Sequence, residues 1–115
     1  MISLHQKRKP SLGDGSFIFS IGSISPPNIS ELAKIKIGHI ANQISKAYNL
    51  VNTPLLIQAI VNNDDVSVIE FAPRIGGGLN FRKIKQFTKF DIIDSAIDSF
   101  LGIEVKPIYE KPNFF

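Results

Sequence analysis

The run Leu55-Leu56-Ile57-Gln58-Ala59-Ile60-Val61, then Asn62-Asn63-Asp64-Asp65, then Val66-Ser67-Val68-Ile69-Glu70-Phe71 decides how this chain is organised. Two mostly apolar segments flank a cluster of asparagine and aspartate, residues that accept the backbone angles of a tight reversal. The pattern predicts a β-hairpin. Beyond it, Pro73 removes a backbone donor and ends regular pairing, and Gly76-Gly77-Gly78 predicts an irregular loop.

Upstream of this hairpin, Ile2 to Lys9 alternates weakly and stops at Pro10. Ser11-Leu12-Gly13-Asp14-Gly15 has turn chemistry, and Phe17-Ile18-Phe19-Ser20-Ile21 reads as the returning strand of another antiparallel hairpin, ended by Ser25-Pro26-Pro27-Asn28. A helix should follow, capped by Asn28 with Glu31 reaching back. Its apolar stripe is Ile29, Leu32, Ile37, Ile40, Ala41, Ile44, Ala47 and Tyr48. His39, beside that stripe, reads as a surface or edge-of-core side chain.

Downstream, Leu79 to Phe87 predicts a short helix. Thr88 with Asp91 forms a second capping pattern leading into Phe90, Ile93, Ile97, Phe100 and Leu101, with Gly102 as the stop. Asp91, Asp94 and Asp98 lie on the other face and read as a solvated stripe. The order is strand, strand, helix, strand, strand, helix, helix. It predicts an α+β fold over residues 1–102, an antiparallel sheet of two hairpins with helices packed on one face, and an extended tail over 103–115.

Composition narrows the function. With 115 residues, 43% of them hydrophobic, the chain is one domain or part of one. Having no cysteine, it holds no disulfide, zinc-thiolate site or cysteine nucleophile, and this fits a cytoplasmic protein. A net charge of +3 is dispersed apart from Lys7-Arg8-Lys9, and no strand interleaves basic with aromatic residues, so no nucleic-acid partner is expected. No apolar run reaches the roughly 20 residues of a membrane span, so no membrane association is expected either. Met1 leads directly into the alternating stretch Ile2 to Lys7, which suggests a start imposed on a longer sequence.

Polar residues inside apolar strands carry the chemical information. Gln58 and Glu70 are equidistant from a turn centred on Asp64, so they should face each other with Cβ atoms roughly 4.5–5.5 Å apart. Such a pair either hydrogen-bonds across an exposed sheet or shares one hard cation; magnesium favours a few protein oxygens completed by water and phosphate. Arg74 stands at the strand's end, where a guanidinium can grip phosphate or carboxylate in bidentate fashion. Gly76, Gly77 and Gly78 offer unhindered amide donors to an anion.

Val68-Ile69-Glu70-Phe71-Ala72-Pro73-Arg74 resembles the end of the ATP-grasp fold, whose pattern is hydrophobic-hydrophobic-Glu-x-Asn-Pro-Arg. Gln58 precedes Glu70 by twelve residues, as in the carbamoyl-phosphate-synthetase-like branch, which uses glutamine there. Arg74-Ile75-Gly76-Gly77-Gly78 followed by Thr88-Lys89-Phe90-Asp91 is similar to the Arg-x-Gly-Gly and Thr-Gly-x-Asp elements of ATP-grasp amino-acid ligases. Ala72 stands where many members have asparagine, as in the ATP-grasp carboxylases of purine synthesis. Lys89 replaces the usual glycine. The resemblance covers roughly Ile2 to Gly102.

That resemblance implies ATP and Mg2+ as cofactors and a small carboxylate substrate. Gln58 and Glu70 would hold the metal, Arg74 would act catalytically on the transferring phosphoryl group and acyl phosphate, and Gly76 to Gly78 would bind the substrate carboxylate. The family's nucleotide-binding lysines and adenine-hinge segment precede the region seen here, so the chain should be the C-terminal part of a carboxylate–amine ligase and inactive alone. The alternative is a non-catalytic ATP-grasp-derived module that binds a partner or a second copy through exposed strand edges, Ile2 to Lys9 foremost.

Overall fold

A computed structural model describes residues 6–8, 22–24 and 27–106 of the chain. The order of elements is β1 (Gln6–Arg8), β2 (Gly22–Ile24), α1 (Glu31–Ala47), β3 (Leu56–Asn62), β4 (Asp65–Ala72), α2 (Asn80–Thr88) and α3 (Ile92–Phe100). The class is α+β, as expected, and the strands form two antiparallel ladders, β1 with β2 and β3 with β4. In the first, Gln6 pairs with Ile24 and Arg8 with Gly22. The strand anticipated at Phe17 to Ile21 lies outside the described residues.

Helix α1 begins two residues later than Asn28 would have set it. Ser30 is the N-cap, with extended backbone (φ −66, ψ 155) and a side chain that accepts from the Ala33 N–H. Glu31 does not reach back to complete a capping box; its carboxylate accepts from Lys34 Nζ at 2.6 Å. At the other end Leu50 N donates to Ser45 O and Asn49 N to Lys46 O, with Asn49 at φ 51. This is a Schellman closure, with asparagine in the position glycine usually fills.

The buried line of α1 also differs from the apolar stripe read from spacing. Ala33 is fully buried while Leu32 is 48% exposed. The small side chain lets the helix approach the hairpin closely, and the stripe continues through half-buried Ile37, Ile40 and Ile44 to Tyr48. There the Tyr48 ring meets Phe71 of β4 edge-on, centroids 5.0 Å apart, a contact worth about 0.5–1.5 kcal/mol beyond its buried area.

Helices α2 and α3 pack on each other through buried Ile84 and Ala96. The capping residue between them is Asp91, not Thr88: Asp91 accepts from Ile93 N and Asp94 N, whereas Thr88 is the last residue of α2. Thr88 Oγ1 donates to Ile84 O and accepts from Phe90 N, so it closes α2. Gly102, at φ 79, ends α3, with Ile103 N donating to Asp98 O and Gly102 N to Ser99 O. The start of the anticipated tail is held in place, since Asn52 Nδ2 donates to Ile103 O and its Oδ1 accepts from Val105 N. The expected apolar stripe divides: Phe90 and Ile93 are half-buried, whereas Ile97, Phe100 and Leu101 are 52%, 68% and 72% exposed.

Candidate functional site

The β3–β4 ladder turns on two residues, Asn63 and Asp64, because Asn62 pairs with Asp65. Asn63 supplies the left-handed angle, at φ 52. Val61 then faces Val66, Ile60 faces Ser67, and Ala59 faces Val68. Between Ala59 and Gln58 the register shifts by one, leaving Ile69 without a cross-strand partner. From there Gln58 faces Glu70, Ile57 faces Phe71, and Leu56 faces Ala72.

Gln58 and Glu70 therefore do oppose each other, but not because the turn is centred on Asp64. Continuing the Asn62–Asp65 step without a shift would set Glu70 opposite Ile57 and Ile69 opposite Gln58. A β-bulge at Ile69 restores the pair.

Opposed residues share a face, so the ladder has two distinct sides. Ile57, Ala59 and Val61, with Val66, Val68 and Phe71, form an apolar side, and α1 packs there through Tyr48. Leu56, Gln58, Ile60 and Asn62, with Asp65, Ser67, Glu70 and Ala72, form the other. Glu70 is exposed and Gln58 half-buried.

The glycine loop approaches the open end of this second side at Gly76. A Cβ added at Gly76 would meet Leu56 Cδ1 and Asn80 Nδ2, each at 3.6 Å, and Leu56 is the neighbour of Gln58 on that face. Of the three glycines only Gly78 has a positive φ, +68, and a Cβ at Gly77 or Gly78 would meet open space. Backbone angle thus requires glycine at 78, whereas neither angle nor crowding requires it at 76 or 77. Arg74 follows Pro73 at the same end; it is exposed, its N–H donates to Ala72 O at 2.8 Å, and its Nη1 donates to Ile75 O at 3.0 Å.

The turn at the other end is clamped to α1. Ser30 Oγ donates to Asp64 Oδ1 at 2.6 Å, and Lys36 Nζ donates to Asp64 O at 2.7 Å and pairs with Asp65 at 3.5 Å. Beside this clamp lies a shallow, open depression of about 570 Å³, lined among others by Lys36, His39 and Gln43 of α1 and Asp65 and Ser67 of β4. Sequence reading did not anticipate it, because it joins residues far apart in the chain. Its lysine is already engaged by the turn, and it sits at the opposite end of the hairpin from Arg74.

The α2–α3 junction carries another ionic contact. Lys85 Nζ donates to Asp91 Oδ2 at 2.6 Å, and this bond is the main cause holding the Asp91 carboxyl below, and the Lys85 ammonium above, their ordinary values. Asp91, read as part of a solvated stripe, is therefore a cap and an ion-pair partner. Among the described residues no group of three or more histidine, cysteine, aspartate or glutamate side chains could hold a metal, so a cation here would depend on an amide oxygen, phosphate and water as well as Glu70. No described helix is long and apolar enough to cross a membrane.

Comparison with protein-family models, with curated proteins and with solved structures gives no match for this chain.

Proposed function

We propose that this chain is the C-terminal part of an ATP-grasp domain, contributing the cation-holding half of an ATP- and magnesium-dependent ligase site. The observation that carries the reading is the opposition of Gln58 and Glu70 on the face that the glycine loop approaches through Gly76 and Leu56. An amide oxygen and a carboxylate on neighbouring strands can both reach one cation, leaving its remaining positions to water and phosphate oxygens.

Three further observations support it. Arg74 is exposed at the same end of the hairpin, where its guanidinium can turn from the Ile75 carbonyl to an anion. Gly76 and Gly77 are glycines that neither backbone angle nor crowding demands, which suits close approach of an anion to their amides. Lys89 holds φ 61, the left-handed angle natural to the glycine it replaces in the resembled Thr-Gly-x-Asp element.

In the complete site the residues would work by positioning and charge neutralisation. ATP would transfer its γ-phosphoryl group to a small carboxylate, and an amine or similar nucleophile would then displace phosphate from the acyl phosphate. Glu70 and Gln58 would hold Mg2+, Arg74 would stabilise the transferring group, and Gly76 to Gly78 would bind the substrate carboxylate.

Manganese is the probe, because its unpaired electrons broaden nearby NMR signals even when binding is weak. Titrated into the 115-residue chain, Mn2+ should broaden the amide signals of Gln58 and Glu70 first, and Glu70→Ala should remove the effect. Uniform broadening, or none, would count against the reading. ADP release from ATP by this chain alone should be undetectable.

A second reading rests on the exposure of Ile97, Phe100 and Leu101 on α3. An apolar helix face of that kind suits an ATP-grasp-derived module that binds a partner or a second copy without catalysis. Concentration-dependent sedimentation together with absent manganese broadening would favour it.

A further inference from the structure

The bulge at Ile69 serves no pairing need. All seven cross-strand pairs of the β3–β4 ladder remain available if Ile69 is simply removed: Ala59 still faces Val68, and Gln58 still faces Glu70 as the next residue. Nor does the side chain contribute much to the core, since Ile69 is 55% exposed. A regular ladder would regain an unbroken hydrogen-bond pattern and withdraw an apolar side chain from water. By both measures the extra residue weakens the hairpin.

Its position gives it a use. A bulge bends its strand and increases the local twist, and so re-aims the residues beyond it. Beyond Ile69 come Glu70 and then the segment Ala72-Pro73-Arg74 that leads to the glycine loop. Helix α1 holds the hairpin on both sides of the bulge, at the turn through Asp64 and beyond Ile69 through the Tyr48–Phe71 contact, so the bend lies between two fixed points.

We infer that the Ile69 bulge is a positioning element of the cation site, giving Glu70 and the Arg74 arm their direction at the expense of hairpin stability. The inference rests on the proposed ATP-grasp reading. It concerns the backbone at 69, not the isoleucine side chain.

The test compares the 115-residue chain with two variants, deletion of Ile69 and Ile69→Ala, by urea denaturation and by manganese broadening at Gln58 and Glu70. The deletion should raise the unfolding midpoint, keep the Ile57–Phe71 cross-strand contact, and require at least tenfold more Mn2+ for the same broadening. Ile69→Ala retains the extra residue and should bind within about twofold of the parent. Equal manganese response in parent and deletion variant overturns the inference while leaving the cation site standing. Failure of the deletion variant to fold also overturns it, because the bulge would then be structural. Absence of selective broadening in the parent chain removes the underlying reading, and the inference with it.

Discussion

Ser30 and Asp64 join the start of α1 to the hairpin turn through one hydroxyl: Ser30 Oγ donates to Asp64 Oδ1 at 2.6 Å and accepts from Ala33 N at 3.1 Å. The same oxygen caps a helix and clamps a turn. Ser30→Ala removes both contacts and should lower stability by about 1–2 kcal/mol. Asp64→Ala spares the cap and the backbone carbonyl held by Lys36, so its loss should be smaller. Urea denaturation of the two single variants and the double variant checks this, with a double loss less than additive.

Glu70 is exposed and stands opposite Gln58 on the side of the ladder away from Tyr48. Glu70→Ala should therefore change stability by no more than about 0.5 kcal/mol, as expected of a surface site. In a full-length ligase the same change should abolish turnover with the fold intact. A stability loss well above that bound would mark Glu70 as a structural residue.

Lys89 at φ 61 and Gly102 at φ 79 close α2 and α3 with the same backbone sign but different residues. A side chain in this region is strained by roughly 1 kcal/mol. Lys89→Gly should raise stability by about 0.5–1 kcal/mol, and Gly102→Ala should lower it by about 1 kcal/mol. Opposite shifts in thermal midpoint would verify the pair.

The Lys85–Asp91 bond makes stability depend on pH at both extremes. Asp91 has its folded value depressed, first by the Lys85 hydrogen bond and then by the Asp94 backbone N–H. Its contribution is complete above the ordinary value of 3.8 and is lost as pH falls through the lower folded value. Lys85 is raised by the same bond, so its contribution is complete below 10.5 and is lost as pH rises through the higher folded value. Asp91→Asn should flatten both limbs of a stability–pH profile, and salt should shrink them in the parent because Lys85 is exposed.

Most elements were legible because their signals are local. Asn62 to Asp65 between two mostly apolar runs specifies a hairpin whatever surrounds it, and Gly102 stops α3 by its own backbone freedom. The caps were less legible. Asn28, Ser30, Thr88 and Asp91 are all competent cap residues, and which one is used depends on where the first turn packs. Ser30 is selected together with its contact to Asp64, and Asp91 together with its contact to Lys85.

The candidate site divides in the same way. Residue type pointed to Gln58 and Glu70, because a polar side chain in an apolar strand stands out in any context, and the Pro-Arg and triple-glycine segment after β4 pointed to Arg74 and Gly76 to Gly78. Alternation from the two-residue turn, followed strictly, would have put Glu70 with Val66 and Val68 on the side that α1 covers. Side-chain direction along a strand has period two, so a single extra residue reverses everything beyond it. Whether the ladder absorbs that residue as a bulge, and where, depends on both strands and on the helix packed against them. Local sequence thus determined that a hairpin forms and which polar residues interrupt its apolar strands, while tertiary packing, through the bulge at Ile69, decided that Gln58 and Glu70 stand together.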